Sequence, residues 1–188
     1  MKKVTVEVSA RHIHLSDKDL VKLFGKQYSL HQKNNLSQSD QFAAKETLVI
    51  SGSKNKLSRV RILGPNRVKT QVELSLSDCI YLGIKPVLRL SGDLKGSSDI
   101  LLIGPKGKLR IKHGAIVAKR HLHISKTQAK EWKLKNKQKI SASIKGERSI
   151  IFNNIIVRVG DFVTRLHLDT DEANAAGVDK NTIASLDI

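Results

Sequence analysis

Two short stretches of this chain space their imidazoles in a way that suits metal chemistry. Arg11-His12-Ile13-His14-Leu15-Ser16 recurs 109 residues later as Arg120-His121-Leu122-His123-Ile124-Ser125. On an extended strand, residues two apart share a face with Cα atoms about 6.6 Å apart. Each pair can therefore converge on one divalent ion. Zinc accepts imidazole nitrogen and carboxylate oxygen at about 2.0–2.2 Å, and a catalytic site keeps one position open. The two pairs imply either two metals or one shared metal. A lone His-x-His is commonly incidental, and the weight here comes from its return inside the same six-residue pattern.

Each pair needs a third ligand. His167 lies in Arg165-Leu166-His167-Leu168-Asp169, at a strand end just before an acidic helix start. Glu73 lies in Gln71-Val72-Glu73-Leu74-Ser75. A histidine of a capping region and a solvated strand carboxylate are the competing readings, and the sequence leaves both open. His31 and His113 show no partner pattern and read as structural or surface residues. The loop Arg61-Ile62-Leu63-Gly64-Pro65-Asn66-Arg67 sets a guanidinium on either side of a tight turn. Two such forks can hold an anion such as phosphate, and an ordinary basic hairpin is the alternative. Covalent catalysis is not indicated. There is no Gly-x-Ser-x-Gly elbow, no P-loop and no Gly-x-Gly-x-x-Gly. A metal beside an anion-binding arginine points to polarisation of a carbonyl or phosphoryl group.

The elements that must position these groups are mostly strands. Val4–Val8 alternates with period two, and similar short runs follow at 47–51, 59–63, 68–74, 87–90, 100–103, 109–112, 139–143, 150–159 and 162–168. Turn signals such as Gly64-Pro65-Asn66, Gly104-Pro105-Lys106-Gly107 and Gly160-Asp161 separate them. Many short strands at this spacing indicate a mainly β chain built from small barrels. Helices are short and capped, after Ser16, Ser75 and Ser125, and over Thr170–Ala176 before Gly177. The repeat divides the 188 residues into two related halves, with a boundary near Gly114–Lys119. Residues 27–41 read as a long polar loop. Apolar residues make up 39% and aromatics only 4%, so the core must be aliphatic. Cys79, the sole cysteine, reads as a small apolar core residue and excludes an intrachain disulfide framework or a cysteine-based zinc finger.

The 34 basic and 17 acidic residues give a net charge of +17, which would draw any polyanion. The charge is uneven. Residues 108–148 carry 13 Lys or Arg against two acids, whereas 161–188 carry six acids against two bases. A nucleic-acid-binding barrel is one reading of this excess. With four Phe, two Tyr and one Trp in the chain, it lacks the aromatics of a base-stacking surface. No apolar run approaches the ~20 residues of a membrane-spanning helix. The start leads into a strand without a signal-peptide core. A reduced cytoplasmic setting is the expectation.

At these residues the sequence resembles the PduL-type phosphotransacylases, the phosphate propanoyltransferase family. The matching stretches are 9–16, Leu36-Ser37-Gln38 with Gln41-Phe42-Ala43-Ala44, 61–75, Ser91-Gly92-Asp93, 120–123 and 167–177. They run in order through nearly the whole chain. The resemblance implies two small β-barrel domains with short helices and an active site at the domain interface. It also implies that the opening strand joins the C-terminal half. One domain would then comprise 1–10 and 118–188, with 11–117 inserted as the other. His12, His14 and Glu73 would hold one Zn2+, and His121, His123 and His167 a second. Arg67 would be the catalytic, phosphate-binding residue. Ser9, Lys33, Arg61, Leu63 and Asn174 match positions around coenzyme A.

The implied partners are a CoA thioester and inorganic phosphate, in a homodimer, with neither membrane nor nucleic acid. The implied reaction is reversible attack of phosphate on acyl-CoA, giving acyl phosphate and CoA, with propanoyl or acetyl as the acyl group. A zinc-dependent hydrolase of thioesters or phosphoesters is the alternative. Where the family often has Pro-Gly, this chain has Ser39-Asp40. Microcompartment members carry an N-terminal encapsulation helix. A first strand from Val4 leaves no room for one, so a free cytoplasmic enzyme is expected, with microcompartment association by another route still open.

Overall fold

The computed structural model describes the whole chain, Met1–Ile188. The first part runs β1 (Lys2–Ser9), β2 (His12–His14), α1 (Asp17–Phe24), β3 (Gln32–Asn35), β4 (Phe42–Ser51), β5 (Lys56–Gly64) and β6 (Gln71–Leu74). Next come α2 (Leu76–Leu82), β7 (Leu88–Arg89), β8 (Ser98–Ile103), β9 (Lys108–Ala118), β10 (His121–Ser125) and α3 (Lys126–Glu131). The last are β11 (Lys139–Ile144), β12 (Ile150–Gly160), β13 (Arg165–Asp169), α4 (Thr170–Ala175) and β14 (Ile183–Asp187). No helix is long and apolar enough to cross a membrane.

The chain forms two compact units, residues 1–9 with 119–188 and residues 10–118. In the first, six strands close a barrel in the order β1-β13-β10-β12-β11-β14. The pairs β1–β13 and β10–β12 are parallel and the other four antiparallel. In the second, β4-β5-β2-β6-β9 closes through β8, which pairs with both β4 and β9, while β3 and β7 are added outside the ring. Again two pairs of the ring are parallel, β2–β5 and β6–β9, and four antiparallel. The two rings share one topology. In each, the His-x-His strand lies between a parallel and an antiparallel neighbour. The strand preceding each copy of the motif, β1 or β9, completes the other copy's barrel.

Alternation fills both interiors with aliphatic side chains, as the composition requires. Val4, Val6, Ile140, Ala142, Ile144, Ala184 and Leu186 line one core, and Leu48, Ile50, Val60, Ile62, Ile100 and Leu102 the other. Cys79 is buried in the second core. Hydroxyl caps start three helices: the Ser16, Ser75 and Ser125 side chains accept from the backbone N–H of Asp19, Asp78 and Gln128. The fourth, α4, is capped by Asp169 in a reciprocal box with Glu172.

Two local expectations need correction. Residues 27–41 are not wholly loop, because Gln32–Asn35 pairs with β4 as an edge strand. Its side chains are all exposed and polar, so no alternation announces it. Residues 61–67 do not form a hairpin: β5 and β6 flank β2 on opposite sides, so the loop between them crosses over β2. β9 runs through most of the Gly114–Lys119 segment and ends at Ala118, where the two units divide.

Candidate metal and anion site

β2 is only three residues long, and its pairing on both sides fixes where its rings point. Its antiparallel register sets Glu73 directly opposite His12. Ligand atoms of His12, His14 and Glu73 all lie within 4.8 Å of one another, and all three residues are buried. His12 Nδ1 donates to the Ala10 carbonyl at 2.8 Å. That fixes the tautomer and leaves Nε2 facing Glu73 Oε1 at 3.6 Å. Burial pulls the His12 pKa down, but the Glu73 carboxylate outweighs it, and the net shift is upward. Burial likewise raises Glu73, and His12 more than reverses this, holding the carboxyl well below its usual range. Burial, then the charges of His12 and Arg67, lower His14 to about 2. Its ring is neutral, the form that binds metal. His14 Nδ1 is buried with no hydrogen-bond partner, an arrangement that calls for a ligand. Two imidazole nitrogens and a carboxylate oxygen suit zinc and neighbouring divalent metals.

The other unit repeats this geometry with a different third group. Antiparallel pairing sets His167 opposite His121. Ligand atoms of His121, His123 and His167 also lie within 4.8 Å of one another, all buried. His121 Nδ1 donates to the Lys119 carbonyl at 2.8 Å, as His12 does to Ala10. The His121 and His167 rings stack at 4.9 Å, and His123 stacks on Phe162 at 4.1 Å. Three imidazole nitrogens also form a donor set for such metals.

The arginine of each motif has a matching task. Arg11 Nε and Nη2 lie 3.0 and 2.7 Å from the two carboxylate oxygens of Asp78. Arg120 Nε lies 2.7 Å from Glu172 Oε1. Asp78 and Glu172 occupy the same position of a capping box, three residues after the caps of α2 and α4. Each arginine therefore ties the His-x-His strand to the helix that follows the third ligand. A second internal repeat encodes this: Glu73-Leu74-Ser75-Leu76-Ser77-Asp78 aligns with His167-Leu168-Asp169-Thr170-Asp171-Glu172. Ligand, leucine, cap and clamped acid coincide, and that match was the available signal for both third ligands.

Arg67 lies in the β5–β6 crossing. Its backbone N–H donates to the Leu15 carbonyl at 2.7 Å, which holds it beside His14. Its Nη1 donates to Ser91 Oγ at 3.1 Å. A cleft of about 220 Å³ is lined by His14, Arg67, Pro65 and Asp40. Asp40 adopts a left-handed φ of 60°. Sequence reasoning missed Gln71, which is buried in the same network. Its Nε2 donates to Glu73 Oε1 at 2.6 Å and to Ser91 Oγ at 3.0 Å, and its Oε1 accepts from Gly92 N–H at 2.8 Å.

The remaining candidates divide between the units. Arg61 pairs with His12 across β5–β2, and its Nη1 donates to the carbonyls of Ala44 and Lys45. Leu63 follows on the same strand. Lys33 is exposed on β3. Ser9 and Asn174 belong to the other unit. Ser9 pairs with Asp169, the cap of α4, and Asn174 is exposed on that helix. His31 and His113 serve the framework. His31 Nδ1 lies 2.7 Å from Glu46 Oε1, and the His113 ring bonds the Ser97 carbonyl at 2.8 Å.

A profile described as phosphate propanoyltransferase matches residues 5–179. Curated relatives carry the same description. A Thermotoga maritima protein is 46% identical over 175 residues, spanning 92% of this chain and 83% of its own. One from Clostridioides difficile is 41% identical over 184 residues, spanning 97% and 88%. One from Priestia megaterium is 47% identical over 173 residues, spanning 92% and 80%. Likeness of this extent takes in both units, and by it the chain belongs to the phosphate propanoyltransferase family, with the activity of a phosphate acyltransferase.

Proposed function

We propose that the chain interconverts propanoyl-CoA plus phosphate and propanoyl phosphate plus CoA, with acetyl-CoA as a second substrate, and binds two Zn2+ per chain. His12, His14 and Glu73 hold one ion, and His121, His123 and His167 the other. Bound zinc would supply Lewis-acid polarisation of the thioester carbonyl and a soft partner for the departing thiolate. Arg67 grips phosphate through its planar fork and offsets the anion's charge during approach. A phosphate oxygen attacks the carbonyl carbon. The C–O bond forms, the C–S bond breaks, and the electron pair leaves on sulfur. Phosphate itself is the nucleophile, so no acyl-enzyme is required, and Cys79 stays in the core. Ser9, Lys33, Arg61, Leu63 and Asn174 are assigned to coenzyme A. Holding both substrates removes much of the entropy cost of a bimolecular step. A cytoplasmic homodimer belongs to the same reading.

The observation that carries this reading is the pair of buried three-ligand clusters on one repeated strand pattern, one of them flanked by Arg67. The test is an acyl-phosphate synthesis assay with acetyl-, propanoyl- and butanoyl-CoA on protein of measured metal content. Acyl phosphate should form only with phosphate present, at two zinc per chain, and stop when the metal is stripped. CoA release without acyl phosphate would establish a hydrolase instead. Full activity in stripped protein would overturn the metal assignment.

A further inference from the structure

The proposed chemistry leaves most of the +17 charge unused, and part of it converges on one groove of the 10–118 unit. Helical spacing sets Lys18 and Lys22 on one face of α1, and strand spacing sets Arg110 and Lys112 on one face of β9. α1 packs against β9. Lys69 from the β5–β6 crossing and Lys95 from the segment before β8 complete the lining of a groove of about 940 Å³. All six cations are exposed, and none takes part in the protein's ion pairs. The two carboxylates in the wall each already have a partner. Asp19 accepts from the Thr70 hydroxyl at 2.6 Å, and Asp93 pairs with Arg89 at 3.8 Å.

Val68, Lys69, Gly92 and Leu94 line this groove and also a second cavity that contains Arg67 and Gln71. The groove and the Arg67 pocket are thus contiguous. No Phe, Tyr or Trp lines the groove, so it lacks the aromatic platform of a single-strand nucleic-acid channel. Five of its six cations are lysines, strongly hydrated point charges on flexible stems. Such a surface holds a small oxyanion weakly and exchangeably, unlike the planar fork of Arg67. A concave surface of one charge sign focuses the field and raises the local concentration of the opposite ion.

We infer that this groove is a phosphate-collecting site, which binds inorganic phosphate loosely and supplies it to Arg67. The inference rests on the proposed function for what Arg67 does with the phosphate. The test compares two variants of equal charge loss. One replaces Lys18, Lys22, Arg110 and Lys112 with Gln, inside the groove. The other replaces Lys130, Lys133, Lys135 and Lys139 with Gln, in the other unit. All eight side chains are exposed, and thermal melting checks that both variants fold.

At low ionic strength the groove variant should raise KM for phosphate about 10-fold, with kcat and KM for acyl-CoA unchanged. The difference should vanish near ~1 M salt, where screening acts within about 3 Å. The control variant should leave KM for phosphate in place. Calorimetry with inorganic tripolyphosphate as the probe should show salt-dependent binding that the groove variant alone loses. An unchanged KM for phosphate, an equal rise for both substrates, or equal effects of the two variants would overturn the inference. A wild-type protein that makes no acyl phosphate would refute the proposed function alone, and tripolyphosphate binding would still decide the groove.

Discussion

Gln71→Leu is the substitution for which the structure gives the most definite outcome. The change nearly conserves volume and removes every polar atom of a side chain in a residue only 1% exposed. Three hydrogen bonds are lost: to the Glu73 carboxylate, to Ser91 Oγ and from Gly92 N–H. A bond to a charged group contributes about 1.5–3 kcal/mol and a neutral one about 0.5–1.5. Partial compensation brings the expected loss of stability to about 3 kcal/mol. Glu73 also loses the donor that orients it, and loss of such a partner typically costs about 10–100-fold in metal affinity. Urea denaturation of metal-free protein, followed through Tyr28 and Tyr81, reads the first quantity, since both tyrosines lie in the 10–118 unit. Competition with a zinc chelator reads the second. A stability loss below about 1 kcal/mol together with unchanged zinc competition would refute the view that Gln71 positions the metal ligand.

Three further outcomes follow from single contacts. Burial raises the Glu46 carboxyl, but hydrogen bonds from His31 and Tyr28 outweigh it and hold the pKa below its ordinary 4.5. A depressed carboxylate stabilises the fold above that value and loses its contribution as pH falls through the lower folded one. Urea midpoints between about pH 6 and 3 should therefore fall more steeply in the wild type than in Glu46→Gln. Gly52→Ala would place a Cβ 2.1 Å from the Leu82 carbonyl oxygen. Backbone cannot yield as a side chain does, so a loss of about 1–3 kcal/mol should appear as a lower melting temperature. Arg67→Ala should raise KM for phosphate about 100-fold, and Arg67→Lys should recover only part, since a point charge replaces a bidentate fork. A defect confined to the thioester would contradict the assignment.

The barrels were legible in the sequence because closed β rings with aliphatic cores write alternation into their strands. Val4–Val8 carries that signal plainly, and 100–103 shows as a short apolar run between turn signals. β3 does not, since an edge strand with four exposed polar side chains has no face to bury. β2 and β10 are visible only as the histidine repeat itself, being too short or too fully buried for period two to stand out. Arg61 through Arg67 looked like a hairpin because a turn between two strands implies adjacency. Here the chain passes over a third strand, which no local pattern reports. Gln71 was illegible for a different reason. Its role depends on Ser91 and Gly92, twenty residues away, and a buried amide has no sequence signature of its own.

The two clusters share a framework and differ in charge, and the difference has a measurable consequence. With Glu73 ionised, the ligand set of His12, His14 and Glu73 is anionic, while that of His121, His123 and His167 is neutral. An anionic set offsets part of a divalent ion's charge and binds it more tightly. A neutral set leaves the ion more electrophilic and easier to remove. Repeating the Arg-clamped strand while varying only the third ligand would give two bound metals unequal Lewis acidity from one fold element. Zinc removal by a chelator should accordingly occur in two phases that differ at least about 10-fold in affinity, roughly 1.4 kcal/mol. His121→Ala should abolish the weaker phase and leave the stronger one intact. Glu73→Gln should bring the stronger phase down to the weaker. A single phase in the wild type, or loss of the tighter ion in His121→Ala, would show that the carboxylate does not set the order.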